Sequence, residues 1–114
     1  MAQVLSQLLD SDMVVLATPL YFFGMSAQLK LIIDRFRSDN RKIQAKQMDA
    51  ILLATSWDAE DWTMEALAHH FEILCKYERW NNRGMVLGLG CGNLEMMSQT
   101  DYAEKAYQLG RTLV

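Results

Sequence analysis

A chain of 114 residues is long enough for one domain and too short for two. Hydrophobic residues make up 51% and charged residues 22%, which predicts a soluble globule; the formal net charge of −3 argues against a general nucleic-acid binder, and no apolar run approaches the ~18 residues of a membrane span. Cys75 and Cys91 show neither a CxxC nor a metal-type His/Cys spacing, and no basic region followed by an apolar stretch opens the chain, so reduced thiols in a cytoplasmic protein without a signal peptide are expected.

The first ten residues read as a short helix with Val4, Leu5 and Leu8 on one side, ended by Asp10-Ser11-Asp12. Met13–Thr18 is a continuous apolar run with two valines, the pattern of a strand covered on both faces. It stops at Pro19, passes through Leu20-Tyr21-Phe22-Phe23-Gly24, and reaches Ser26, a suitable helix N-cap. Leu29, Ile32, Ile33 and Phe36 then recur at helical spacing, predicting a helix over 26–37. Residues 38–47 are polar and read as a loop. Ala50–Thr55 is a second buried-type strand. The acidic Asp58-Ala59-Glu60-Asp61 suits the positive end of a long helix over 59–80, with Met64, Leu67, Phe71 and Leu74 inward. Asn81–Gly84 breaks that helix. Met85–Leu89 is a third strand, leading into Gly90-Cys91-Gly92-Asn93. A last helix starts near Ser98–Asp101 and shows Tyr102, Ala106, Leu109 and Leu113 on one side.

Strands alternating with helices predict an α/β domain with three parallel strands, at about 13–18, 50–55 and 85–89. Right-handed crossovers put the helices at 26–37 and 59–80 on one face, and the last helix can cross to the other. Open α/β sheets place ligands at the C-terminal ends of their strands, where residues 18–24, 55–57 and 90–92 fall. Turning a corner needs no aromatics, so Tyr21, Phe22 and Phe23 suggest a flat wall for a planar ring; the plainer reading is a plug at the top of the core. Thr55, Ser56 and Trp57 offer hydrogen bonds to such a ring, or serve only to cap a helix. Gly90 and Gly92 permit close backbone approach, or simply make a turn. Cys91 between glycines is a reactive thiol or a bystander. Lys30 and Asp34 are placed for a surface ion pair. His69 and His70 are adjacent and point about 100° apart on a helix, so they cannot chelate one metal, and no metal site is expected. Arg35, Arg37, Arg41, Lys42 and Lys46 form a solvated loop or meet a nicotinamide 2′-phosphate. No Ser/His/Asp or Cys/His constellation gathers at one rim, so no catalytic side chain is assigned.

Ala17-Thr18-Pro19-Leu20-Tyr21-Phe22-Phe23-Gly24-Met25-Ser26-Ala27-Gln28-Leu29-Lys30, with Asp34-Arg35 one turn on, resembles the flavodoxin-like NAD(P)H-dependent FMN reductases, in the branch of multimeric flavodoxins and iron–sulfur flavoproteins. Ala45-Lys46 before AILLATS, Gly84–Gly88, and Ala103–Leu113 with Ala106-Tyr107-Gln108-Leu109-Gly110 extend the similarity over essentially the whole chain. The resemblance implies a flavodoxin-like three-layer sandwich and FMN. Its ring lies against Thr18, Pro19, Leu20, Tyr21, Phe22, Phe23 and Gly24, with Thr55, Ser56, Trp57, Gly90 and Gly92 completing the rim. It also implies NAD(P)H as a transient substrate and hydride transfer to a small acceptor, the cofactor doing the chemistry.

The family's first strand, its serine/threonine-rich phosphate turn, its first helix and its second strand have no counterpart before residue 13, nor does the cysteine cluster of the iron–sulfur branch. A phosphate gains charge-assisted hydrogen bonds worth roughly 1.5–3 kcal/mol each. Losing three weakens binding by about a thousandfold or more. FMN is therefore expected to bind weakly or across an interface. In the family's strand order the absent strands would flank residues 13–18, which makes that strand an unprotected edge. The expected consequence is a homodimer through it, or a chain that supplies the missing strands. A non-catalytic half-domain working through that edge is the alternative function, and a piece of a longer reading frame is a third possibility.

Overall fold

The structure, a computed structural model, describes residues 1–113. In chain order it comprises α1 (Ala2–Leu9), β1 (Met13–Pro19), α2 (Ala27–Asp34), a 3₁₀ turn (Arg35–Asp39), α3 (Asn40–Lys46), β2 (Asp49–Thr55), α4 (Glu65–Glu78), β3 (Asn81–Gly88), α5 (Leu94–Ser98) and α6 (Tyr102–Arg111). The strands form one parallel sheet in the order β1-β2-β3. Met13 pairs with Asp49 and Pro19 with Thr55, while Asp49 pairs with Asn81 and Thr55 with Gly88, so all three strands end at one rim.

The core lies on the sheet face covered by α2, α3 and α4. Leu16, Ala50, Leu52 and Ala54 meet Ile33, Phe36, Ile43, Leu67, Phe71 and Trp80 there. The opposite face carries α6, whose Leu109 sits so close to Gly84 that a Cβ there would lie 3.0 Å from Leu109 Cδ1. Helices on both faces of a parallel sheet is the expected architecture, with α2 and α4 together and α6 opposite.

The expectation that β1 is covered on both faces is corrected. Leu16 and Thr18 are buried, but Val15 is 48% exposed and Ala17 and Pro19 are also exposed. The one long helix on that face, α6, lies over β3 and leaves β1 bare. In β2, by contrast, Ile51 and Leu52 are both buried, as befits the central strand.

Three boundaries also move. Residues 38–47 are helical rather than a loop, because Ile43 is fully buried and anchors a turn of helix that stops at Gln47 in the left-handed region (φ 51°). The helix expected over 59–80 begins only at Glu65; before it, Glu60 donates its N–H to the Thr63 hydroxyl (3.1 Å) and the chain turns. Strand β3 starts at Asn81 and ends at Gly88, not 85–89. Asn81 Nδ2 donates to Asp49 Oδ1 (3.2 Å) and Arg83 Nη1 pairs with Asp49 Oδ2 (2.7 Å), which ties the polar start of β3 to β2.

Candidate functional site

Beyond Pro19 the chain makes a tight turn. Tyr21 and Gly24 exchange backbone hydrogen bonds of 3.0 and 3.1 Å, and the two residues between them, Phe22 and Phe23, both have positive φ (46° and 69°). Non-glycine residues pay about 1–2 kcal/mol each for that conformation. Nothing in the core repays it: Phe22 is 98% exposed and Tyr21 60%. Phe23 is held from one side by Trp62, ring centroids 5.6 Å apart and planes at 46°. The turn is anchored from below. Thr18 Oγ1 accepts the Ser26 N–H (2.9 Å) and donates to the Pro19 carbonyl (2.8 Å), Ser26 caps α2 by accepting from the Leu29 N–H (3.2 Å), and Leu20 N–H donates to Thr55 O (2.7 Å).

The second and third loops are latched by Ser56. Its N–H donates to Gly88 O (2.9 Å), its carbonyl accepts from Cys91 N–H (2.7 Å), and its hydroxyl donates to Asp58 O (2.7 Å). Gly90, at φ +65°, donates its N–H to Asp58 O (3.2 Å). The Trp57 indole lies over Gly92, where an added Cβ would fall 1.8 Å from its Cε3. Gly92 is thus a glycine because Trp57 occupies the space of its side chain.

These loops enclose a cleft of ≈ 240 Å³ lined by Leu20, Phe22, Phe23, Ser56, Trp57, Asp58 and Thr63. On the other face, below the same rim, an apolar groove of ≈ 440 Å³ runs between Ala17, Pro19, Leu53 and Thr55 of the sheet and Tyr102 and Ala106 of α6. The sequence candidates therefore separate. Tyr21, Phe22, Phe23 and Trp57 present exposed rings, with Leu20 half-buried between them and Gly24 closing the turn. Thr18 and Ser56 are buried, and their hydroxyls are engaged within the protein. Pro19 and Thr55 face the groove. Gly90 and Gly92 hold Asp58 and Trp57 in place. Asp58 and Thr63 join the cleft, and Trp62 backs Phe23 beside it, although the sequence reading assigned them to a helix start; the turn at Thr63 is what brings them there.

The basic residues do not reach the rim. Arg37, Arg41 and Lys42 line a separate cleft at the opposite ends of the strands, about 20 Å away along a seven-residue strand, and Lys46 Nζ donates to Leu9 O (2.6 Å). Lys30 and Asp34 form the surface pair (2.5 Å). Among the described residues no group of three or more His, Cys, Asp or Glu side chains could hold a metal ion. Cys91 is buried, its Sγ 3.5 Å from the Leu89 carbonyl oxygen. Burial, with help from the Glu72 carboxylate, pushes the Cys75 thiol up to about 11, and burial raises the Glu78 carboxyl; both belong to α4, away from the cleft.

Comparison with known proteins follows the same outline. The family model described as NADPH-dependent FMN reductase matches residues 1–87. The protein named "Putative NAD(P)H-dependent FMN-containing oxidoreductase YwqN" of Bacillus subtilis (strain 168) is 31% identical over 94 residues, a match covering 76% of this chain and 52% of that protein, so the chain spans about half the length of this curated relative. Among solved structures, the Trp repressor binding protein from Bacillus subtilis superposes with a TM-score of 0.85 at 25% identity, covering 95% of this chain and 68% of that one. A P. pentosaceus protein described as an NADPH-quinone reductase shares the fold at a TM-score of 0.74 and 21% identity, over 94% of this chain and 71% of that one. The fold is flavodoxin-like, and the chain belongs to the NADPH-dependent FMN reductase family.

Proposed function

We propose that this chain holds the isoalloxazine ring of FMN in the cleft beside the Tyr21–Gly24 turn and serves hydride transfer from NAD(P)H to a small acceptor. The observation that carries the reading is the strained, outward-facing aromatic turn set against Trp57 and Trp62 at the strand ends. Strain kept at an exposed position, where no packing requires it, marks a ligand clamp. The bound flavin would supply the redox chemistry, accepting a hydride and passing it on. The protein's part is positional: Phe22 and Trp57 offer flat apolar surfaces, Thr18 anchors the turn that carries the first, Ser56 fixes the loop that carries the second, and Leu20 lines the cleft between them.

The ring fits this cleft better than the phosphate fits the rim. Residues 20–26, 56–64 and 89–93 contain no Lys or Arg, while Asp58, Glu60 and Asp61 are all there. A phosphate near these loops meets no side-chain cation and at least one carboxylate. FMN held by these loops alone is therefore held through its ring, weakly, and tight binding requires phosphate-binding groups from outside them. The two unpaired, buried cysteines agree with work in the cytoplasm.

An absorbance spectrum from about 300 to 550 nm, with and without FMN, tests the proposal. Bound flavin gives a resolved visible band, quenched flavin emission, and NADH or NADPH oxidation. Colourless protein that ignores millimolar FMN overturns it. The bare β1 edge favours a second reading, a non-catalytic module that binds through that edge, and such colourless protein is what it requires.

A further inference from the structure

Away from the rim, the 3₁₀ turn, α3 and the end of α4 enclose a second cleft of ≈ 890 Å³. Ile33, Phe36 and Leu74 supply its apolar part, and the exposed ring of Tyr77 lines it with its hydroxyl 3.4 Å from the Asn40 amide. Arg37, Arg41 and Lys42 line it too, and none of them forms an ion pair among the described residues. Of the two aspartates beside them, Asp34 is paired with Lys30, which leaves Asp39 alone against three cations. In a chain of net charge −3, that positive excess belongs to this cleft and not to the surface at large.

The cleft wall also contains Glu78, which is buried. With the Asn40 amide turned to satisfy both its atoms, Asn40 donates to Glu78 Oε1 (2.8 Å), while Oε2 is enclosed and has no partner. Burial favours the neutral acid. The Asn40 donor on Oε1 leaves the proton to Oε2, so the unpartnered atom is an O–H donor. A buried donor without an acceptor is costly.

Two separate features therefore want the same partner. The cations want an anion, and the Oε2 hydroxyl wants an acceptor oxygen. A phosphate monoester meets both needs, with a charge of about −1.5 to −2 at neutral pH and several acceptor oxygens. Arginine grips phosphate through paired N–H bonds. The apolar walls and the Tyr77 ring suit an aromatic body on the ester. We infer that this cleft binds a small phosphate monoester with an aromatic body, held by Arg37, Arg41 and Lys42, with Glu78 donating to a phosphate oxygen. Oε2 is closed to water, so the phosphate reaches it by parting the long, exposed side chains that line the cleft. Ionised Glu78 would instead repel the phosphate, which couples binding to the proton on this carboxyl.

An NMR titration of the flavin-free protein with phenyl phosphate tests the site. Amides of residues 37–42 and 77–78 should shift along one saturating curve, while those of residues 20–24 and 56–58 stay still. Phenol should move none of them, and inorganic phosphate should bind several-fold more weakly. Arg41→Gln, at an exposed position, should weaken the ester at least tenfold through loss of a charge-assisted bond. Lys105→Gln makes the same change of net charge on α6 and should leave affinity as it is. Glu78→Gln keeps the acceptor for Asn40, offers an N–H in place of the O–H, and cannot ionise. Relative to that variant, the parent chain should lose affinity as the pH is raised above about 4.5. Asp34, Arg37, Asp39, Arg41, Lys42 and Tyr77 share the cleft with Glu78 in both proteins, and the ester's own ionisation is common to both, so the ratio isolates Glu78. No saturation below about 10 mM ester, equal binding of inorganic phosphate, equal losses in Arg41→Gln and Lys105→Gln, or a ratio flat with pH overturns the inference. Because the rim amides are read separately and no flavin is present, failure of the FMN reading leaves this result unaffected.

Discussion

Phe22 and Phe23 occupy a conformation that glycine or asparagine normally takes, and one of them is almost wholly in solvent. Replacing Phe22 by glycine removes about 1–2 kcal/mol of backbone strain, offset by about 0.5–1 kcal/mol of extra freedom in the unfolded chain. Phe22→Gly should therefore leave stability unchanged or raise it by up to about 1.5 kcal/mol in urea unfolding. The same change removes an aromatic face worth about 0.5–1.5 kcal/mol, so FMN affinity by fluorescence titration should fall roughly 2- to 10-fold. Opposite signs for stability and binding are what a clamp residue shows; a residue that merely packs loses both. The aromatic run itself was plain in the sequence. The commitment of the Thr18 and Ser56 hydroxyls was not, since each bonds to a carbonyl whose position depends on a loop's path.

At the scale of elements, the corner where α4 meets the 3₁₀ turn and α3 holds a buried carboxyl. Glu78 is 1% exposed, and its Oε2 is enclosed without a hydrogen-bond partner. In the amide orientation that satisfies both its atoms, Asn40 donates to Glu78 Oε1 (2.8 Å) and to the Phe36 carbonyl (3.1 Å). Burial favours the neutral acid, so the folded chain retains this proton to higher pH than the unfolded one. Stability must then fall as pH rises, from the ordinary glutamate value of 4.5 up to the raised folded value. Glu78→Gln keeps the acceptor for Asn40 and cannot ionise. In urea unfolding its stability relative to the parent chain should rise as the pH is raised above about 4.5; parallel pH profiles would refute the assignment. Ile43, buried beside this corner, is also why a polar stretch read as a loop folds as helix. One apolar residue among charges gives no periodicity to read, and only contact with α4 reveals its role.

For the molecule as a whole, the sheet is well covered on one face and partly bare on the other. The bare part is Val15 and the apolar groove that Ala17, Pro19 and Leu53 form with Tyr102 and Ala106 of α6.

The sequence by itself determined the alternation of strands and helices, the parallel sheet, and the rim at which residues 18–24, 55–57 and 90–92 meet, because hydrophobic period and turn residues are local properties of the chain. The sequence motifs also pointed to the family to which the chain belongs. Only the tertiary structure decided which polar groups are spent internally, that Trp62 joins Phe23, and that β1 is bare on one face. Burial and hydrogen-bond partnership are settled between residues far apart in the chain, and α6, lying over β3 rather than β1, is what leaves that face open.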